Sequence, residues 1–105
     1  MRLVAVSAIL MSSVSWADTT DGKALYEANC SACHGVALDG NGPAGSALEP
    51  RPSNFSDPTF WASRDSSAVK ASIKNGKPGT AMMSFAHLPD SETEAIVAYL
   101  IANKP

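Results

Sequence analysis

Apolar positions along the chain fall into three patterns. Leu3 to Met11 is an apolar run behind a single positive charge, Arg2. Further on, apolar residues recur at helical spacings: Leu25, Ala28 and Ala32, then Val69 and Ile73, then Ile96, Val97, Leu100 and Ile101 with Tyr99 beside them. Recurrence at three and four residues is the mark of a helix with one buried face. Between these stretches lies GVALDGNGPAGSALEPRPSNFSDP, residues 35–58, where Gly, Pro, Ser, Asn and Asp dominate. That composition predicts loop. No alternating run predicts a strand, and no internal repeat is present.

The caps set the element boundaries. A helix is expected from Thr20 to about Cys33, capped by Thr20 or Asp21. A short helical turn is expected over Thr59 to Ser63. Asp65 or Ser66 can cap a helix that runs to about Asn75, with Gly76 as its stop. Ser91-x-x-Glu94 reads as a capping box opening the last helix. The fold class is therefore all-α, with three main helices, a short one and a long Ω-like loop. A structureless loop of this length is uncommon in a small domain. Its apolar residues Val36, Leu38, Leu48 and Phe55 suggest a segment wrapped around something.

The N-terminal pattern changes the accounting. Arg2, the short apolar run and the small residues Ser15 and Ala17 flanking Trp16 have the layout of a secretory signal peptide. The run is too short for a spanning helix, which needs about 20 apolar residues. Cleavage after Ala17 is expected, removing residues 1–17 and exporting residues 18–105 without a membrane span. So short a domain often needs a staple, a metal or a cofactor to supplement its core. The formal net charge of the whole chain is −2, which argues against nucleic acid as a partner, because its binders carry basic patches.

Removing the leader also removes Met1 and Met11. What remains is two cysteines (Cys30, Cys33), two histidines (His34, His87) and two methionines (Met82, Met83). Cys30-Ser31-Ala32-Cys33-His34 is C-x-x-C-H. A disulfide redox motif would follow a strand in a βαβ setting, which is missing. Zinc would want four tetrahedral ligands. The four on offer are Cys30, Cys33, His34 and His87, and two of them are adjacent in sequence. The third reading is covalent haem attachment, with two thiols joined to the haem vinyl groups and the histidine on iron. Cysteines three apart on a helical turn point to one side, and the next residue falls under the iron. A ligand on the far side of iron would then come from Met82 or Met83, with His87 as the alternative. A methionine paired with a histidine gives the electron-transfer arrangement.

GKALYEANCSACHG, DGNGPAG, NGKPGTAMMSF and the closing VAYL together resemble the class I c-type cytochromes, the small bacterial monohaem proteins. The likeness covers Gly22 to about Ile101. It implies a cytochrome c fold over residues 18–105, around one covalently attached haem c. It also implies Cys30 and Cys33 as attachment sites, with His34 and Met82 as iron ligands. The family often has proline after the ligand methionine, and Met83 stands there instead. The resemblance implies that the first and last helices cross at Gly22, Tyr26 and Tyr99, and that the Pro43 carbonyl accepts from His34 Nδ1–H. Arg51, Asn54 and Trp61 become candidates to face the haem propionates, with surface placement as the alternative for each. Phe55, Phe60 and Phe85 are expected as core against the ring.

The function expected is a periplasmic carrier of single electrons, a monomer that docks briefly with a redox donor and an acceptor. Two other readings stand beside it. One is a haem-based sensor or enzyme with an open or bis-histidine iron. The other is a haem c subunit of a larger oxidoreductase complex.

Overall fold

A computed structural model describes residues 21–105, so the expected leader lies outside the described residues. Asp21 is extended, and its carboxylate accepts from the Ala24 N–H at 3.2 Å. This cap opens α1, Gly22–Asn29. The continuous helix expected to Cys33 is broken at Cys30, whose φ of −122° leaves helical space; α2 is the short Ser31–His34. The break has a local cause. Asn29 donates to the Leu25 carbonyl at 2.9 Å, and the Ser31 hydroxyl donates to the Glu27 carbonyl at 2.7 Å. Such side chains compete with the regular backbone ladder. Ala28 and Ala32, expected on the buried stripe, are exposed, while Tyr26 is fully buried.

After a long segment without helix come α3 (Pro58–Ala62), α4 (Ser66–Asn75) and α5 (Asp90–Ala102). Asp57 caps α3 through the Thr59 N–H at 2.9 Å, and Asp65 caps α4 through the Ala68 N–H at 2.9 Å. Gly76 ends α4 as expected. The expected capping box of α5 does not form. The helix opens two residues earlier, behind Pro89, with no side-chain cap. Glu94 instead reaches across to Lys70 of α4 at 2.7 Å, and Asp90 pairs with Lys74. Asp90 and Glu92 still favour the start of α5, where the helix dipole is positive. The two ion pairs lie at the surface, where water screens them and they add little to stability. The described residues contain no strand, and none of their helices is long and apolar enough to cross a membrane.

The core lies where α1 and α4 meet α5. It contains Tyr26, Val69, Ile73, Ile96, Val97 and Leu100, with Trp61, Leu38 and Phe55 brought in by α3 and the loop. The Tyr26 and Tyr99 rings lie 5.5 Å apart. At this crossing a Cβ on Gly22 would stand 2.1 Å from the Ala95 carbonyl oxygen, so the helices approach as closely as they do because position 22 has no side chain.

Tyr26 ties this core to the segment after α2. Its hydroxyl donates to the Gly35 carbonyl at 2.6 Å, in a buried position next to His34. Burial, then the neighbouring Cys30, pushes the phenol well above its ordinary range, so it stays a donor at every physiological pH. Tyr26→Phe leaves that carbonyl without its partner. The expected cost is about 1–3 kcal/mol, read as a lower denaturant midpoint at unchanged slope.

Candidate functional site

Two adjoining clefts open beside α2. One, about 50 Å³, is lined by core residues including Tyr26, Phe55, Phe60, Ile73 and Leu100. The other, about 350 Å³, is lined by Cys33, Leu48, Pro52, Thr80, Met83 and Phe85 among others. Cys30, His34, Ser53, Lys77 and Met82 line both. Four residues expected from the sequence (Cys30, Cys33, His34 and Met82) thus border one continuous slot.

The attachment turn is held by the loop that follows it. A helix end leaves carbonyls without partners, and here the loop folds back to supply them. Gly40 N–H donates to the His34 carbonyl at 2.8 Å, Gly42 N–H to Cys33 at 3.1 Å, and Ala44 N–H to Ala32 at 2.8 Å. This explains the GNGPAG run. A Cβ on Gly42 would lie 2.4 Å from the Ala32 oxygen, and any side chain there would push the loop off the turn.

Cys30 and Cys33 form no disulfide and are each half-buried. Burial, then the adjacent Cys33, pushes the Cys30 thiol up to about 11. His34 stacks on Phe55 with ring centroids 4.8 Å apart. Burial lowers its pKa, opposed by its backbone partner, and so favours the neutral imidazole a metal requires. Its Nδ1 lies 3.3 Å from the Ser53 carbonyl. That carbonyl replaces the expected Pro43 acceptor: Pro43 is exposed, because the turn holding it packs its backbone, not its ring, against α2. Donation from Nδ1 leaves Nε2 free as the ligating nitrogen.

Met82 sits in a braced loop. The Lys77 N–H donates to the Met82 carbonyl at 3.1 Å, and the Met82 N–H donates to the Thr80 hydroxyl oxygen at 3.1 Å. Phe85 N–H then donates to Ile73 at 2.8 Å, fastening the loop to the end of α4. Met83 is 62% exposed. His87 is exposed, rests near the Phe85 ring, and lines neither cleft. Among the described residues no group of three or more His, Cys, Asp or Glu gathers as a metal site, so the zinc set of Cys30, Cys33, His34 and His87 is not assembled.

The propionate candidates need revision. Trp61 is buried and its Nε1–H is taken by the Phe55 carbonyl at 2.9 Å, while Lys104 lies over its ring. Asn54 is exposed, accepts from the Ser56 N–H, and borders neither cleft. Arg51 lines the wider cleft but donates to the Gly40 carbonyl and the Asn41 side chain.

A strandless helical fold with paired thiols, a neutral histidine and a thioether around an apolar slot is that of a c-type cytochrome. The family described as "Cytochrome C oxidase, cbb3-type, subunit III" matches residues 17–100, and the chain belongs to it. Among solved structures it is similar to the KustC0563 c-type cytochrome, with a TM-score of 0.65 and 30% identity over 81% of this chain and 99% of that one. It also shares its fold with a chain of the Kuenenia stuttgartiensis reducing HAO-like protein complex Kustc0457/Kustc0458 (TM-score 0.70, 21% identity). That match covers 80% of this chain and spans 41% of the other. The comparison with curated protein sequences gave no match. As a c-type cytochrome, the protein carries one covalently bound haem c with its iron. The slot fits that group, since its walls are apolar and aromatic, its thiols and imidazole border it together, and no carboxylate lines it.

Proposed function

We propose that the protein is a periplasmic one-electron carrier whose haem iron is held by His34 and Met82. The observation that carries this reading is that Met82 and His34 line the same two clefts, while the neighbouring Met83 reaches only the wider one and is 62% exposed. The bound haem supplies an iron that accepts and returns one electron. Cys30 and Cys33 tether the group through thioether bonds, which suits a protein exported behind the leader read at residues 1–17. His34 presents Nε2, with Nδ1–H held by the Ser53 carbonyl. The Met82 thioether completes the iron's ligands and raises its potential. Phe55, Phe60, Tyr26 and Leu100 keep water from the inner cleft. The chain works as a monomer, docking briefly with donor and acceptor, as weak redox encounters do.

A filled sixth position excludes other ligands. The ferrous holoprotein is therefore expected to take up carbon monoxide slowly at neutral pH. Rapid uptake would instead support the sensor or enzyme reading, with an open iron. The similarity to a chain of a reducing HAO-like protein complex, and the family's description as an oxidase subunit, favour one second reading, a haem subunit of a larger assembly. Native mass measured on periplasmic extract separates the two. A carrier runs near its own mass, and a subunit runs with its complex.

A further inference from the structure

The protein is acidic overall, yet the charged residues lining the two clefts are all cations: Arg51, Arg64 and Lys77. The other ionisable groups on these walls are Tyr26, Cys30, Cys33 and His34. A haem brings two carboxylates, and an unpaired carboxylate in a partly buried slot is costly. Arg51 is already engaged with Gly40 and Asn41. Among the described residues Arg64 has only the Phe60 ring face, 5.0 Å from its guanidinium carbon. The Lys77 ammonium has no hydrogen-bond or ion-pair partner among the described residues, while Lys70 and Lys74 are spent on Glu94 and Asp90.

We propose that Arg64 and Lys77 carry the two haem carboxylates, and that Lys77 thereby fastens the methionine loop to the ring. The second half follows from how that loop is braced. The Lys77 carbonyl accepts from both the Thr80 N–H at 3.1 Å and the Thr80 hydroxyl at 2.7 Å, while its N–H holds the Met82 carbonyl at 3.1 Å. The Met82 N–H closes the set on the same hydroxyl. A side chain anchored on the haem would hold this whole network, and the Met82 sulfur with it, in place. Charge-assisted pairs are the stronger hydrogen bonds, which suits them to the role.

This proposal rests on the haem reading of the slot, and the test keeps the two apart. It is the reduction potential of the holoprotein as a function of pH, in the unmutated protein and in Lys77→Gln, Arg64→Gln and Arg51→Gln. Removing a counter-charge moves the titration of its carboxylate upward in pH. Above that titration the bare carboxylate stabilises ferric iron. Lys77→Gln and Arg64→Gln are therefore expected to show a lower potential at pH 8 and a new fall across the neutral range. Lys77→Arg and Arg64→Lys restore the original profile, and Arg51→Gln, which removes a cation from the wider cleft but no carboxylate's partner, shifts the level without adding that fall. Lys77→Gln alone also speeds carbon monoxide uptake by the ferrous form, because its loop is released. Superimposed profiles for Lys77→Gln, Arg64→Gln and the unmutated protein would overturn the pairing, as would a change seen only in Arg51→Gln. An unchanged uptake rate in Lys77→Gln would overturn the fastening of the loop. Rapid uptake by the unmutated protein would remove Met82 as ligand, and with it the fastening, while the pH profiles would still decide the carboxylate pairing.

Discussion

Met82→Ala is expected to convert a closed haem into an open one. With Met82 as ligand, as proposed, incoming carbon monoxide must wait in the unmutated protein for the methionine to leave. In the variant it meets iron with no protein ligand on that side, so uptake changes from slow to limited by encounter. The reduction potential falls as well, because the thioether favours the ferrous state more than water does. Met83→Ala is the control, since Met83 is 62% exposed and its loss takes nothing from the inner cleft. His87 offers no rescue, because it lines neither cleft. Rapid-mixing absorption of the reduced proteins reads all three cases. Fast uptake in Met83→Ala and slow uptake in Met82→Ala would reverse the ligand assignment.

Gly22→Ala is expected to produce the largest loss of stability among single methyl additions at the α1–α5 crossing. Alanine favours a helix over glycine by roughly 0.5–1 kcal/mol, so on an open surface the change would stabilise. Here the new Cβ would stand 2.1 Å from the Ala95 carbonyl oxygen and 2.9 Å from the Tyr99 Cβ. Neither is the end of a flexible side chain, so the helices themselves must move apart. Overpacking of this kind costs about 1–3 kcal/mol, occasionally more. The net expectation is a loss of about 2 kcal/mol, and larger residues at position 22 cost more. Urea unfolding of the holoprotein, followed at the haem band and by far-ultraviolet dichroism, measures it. A variant as stable as the unmutated protein would mean that α1 and α5 do not cross this closely.

The sequence made the helices of the second half legible because their signals are local. Asp65 caps α4, Gly76 stops it, and the Ile96–Val97–Leu100 stripe faces the core, all as the pattern predicts. The haem c was equally legible, since the spacing of Cys30, Cys33 and His34 carries that reading and the family bears out the cofactor. What stayed hidden depended on which partner each side chain or carbonyl takes. The break at Cys30 comes from the side chains of Asn29 and Ser31 turning back on the helix. Glu94 was free to cap α5 and instead found Lys70, a residue of another helix. The His34 acceptor moved from Pro43 to Ser53 because the loop returns to α2 twice, and periodicity does not say which pass brings a carbonyl to the ring. Trp61 looked available until Phe55, placed by the same loop, took its N–H. The glycines of the GNGPAG run were legible as loop. Their second role, letting backbone press on backbone, shows only once α2 is in place.

The most direct test of the account is the ferric absorption spectrum of the purified holoprotein. A His34–Met82 pair predicts the weak long-wavelength charge-transfer band of a methionine–iron bond, kept in Met83→Ala and lost in Met82→Ala. An unmutated protein without that band would contradict the account and leave iron open or bound by another group.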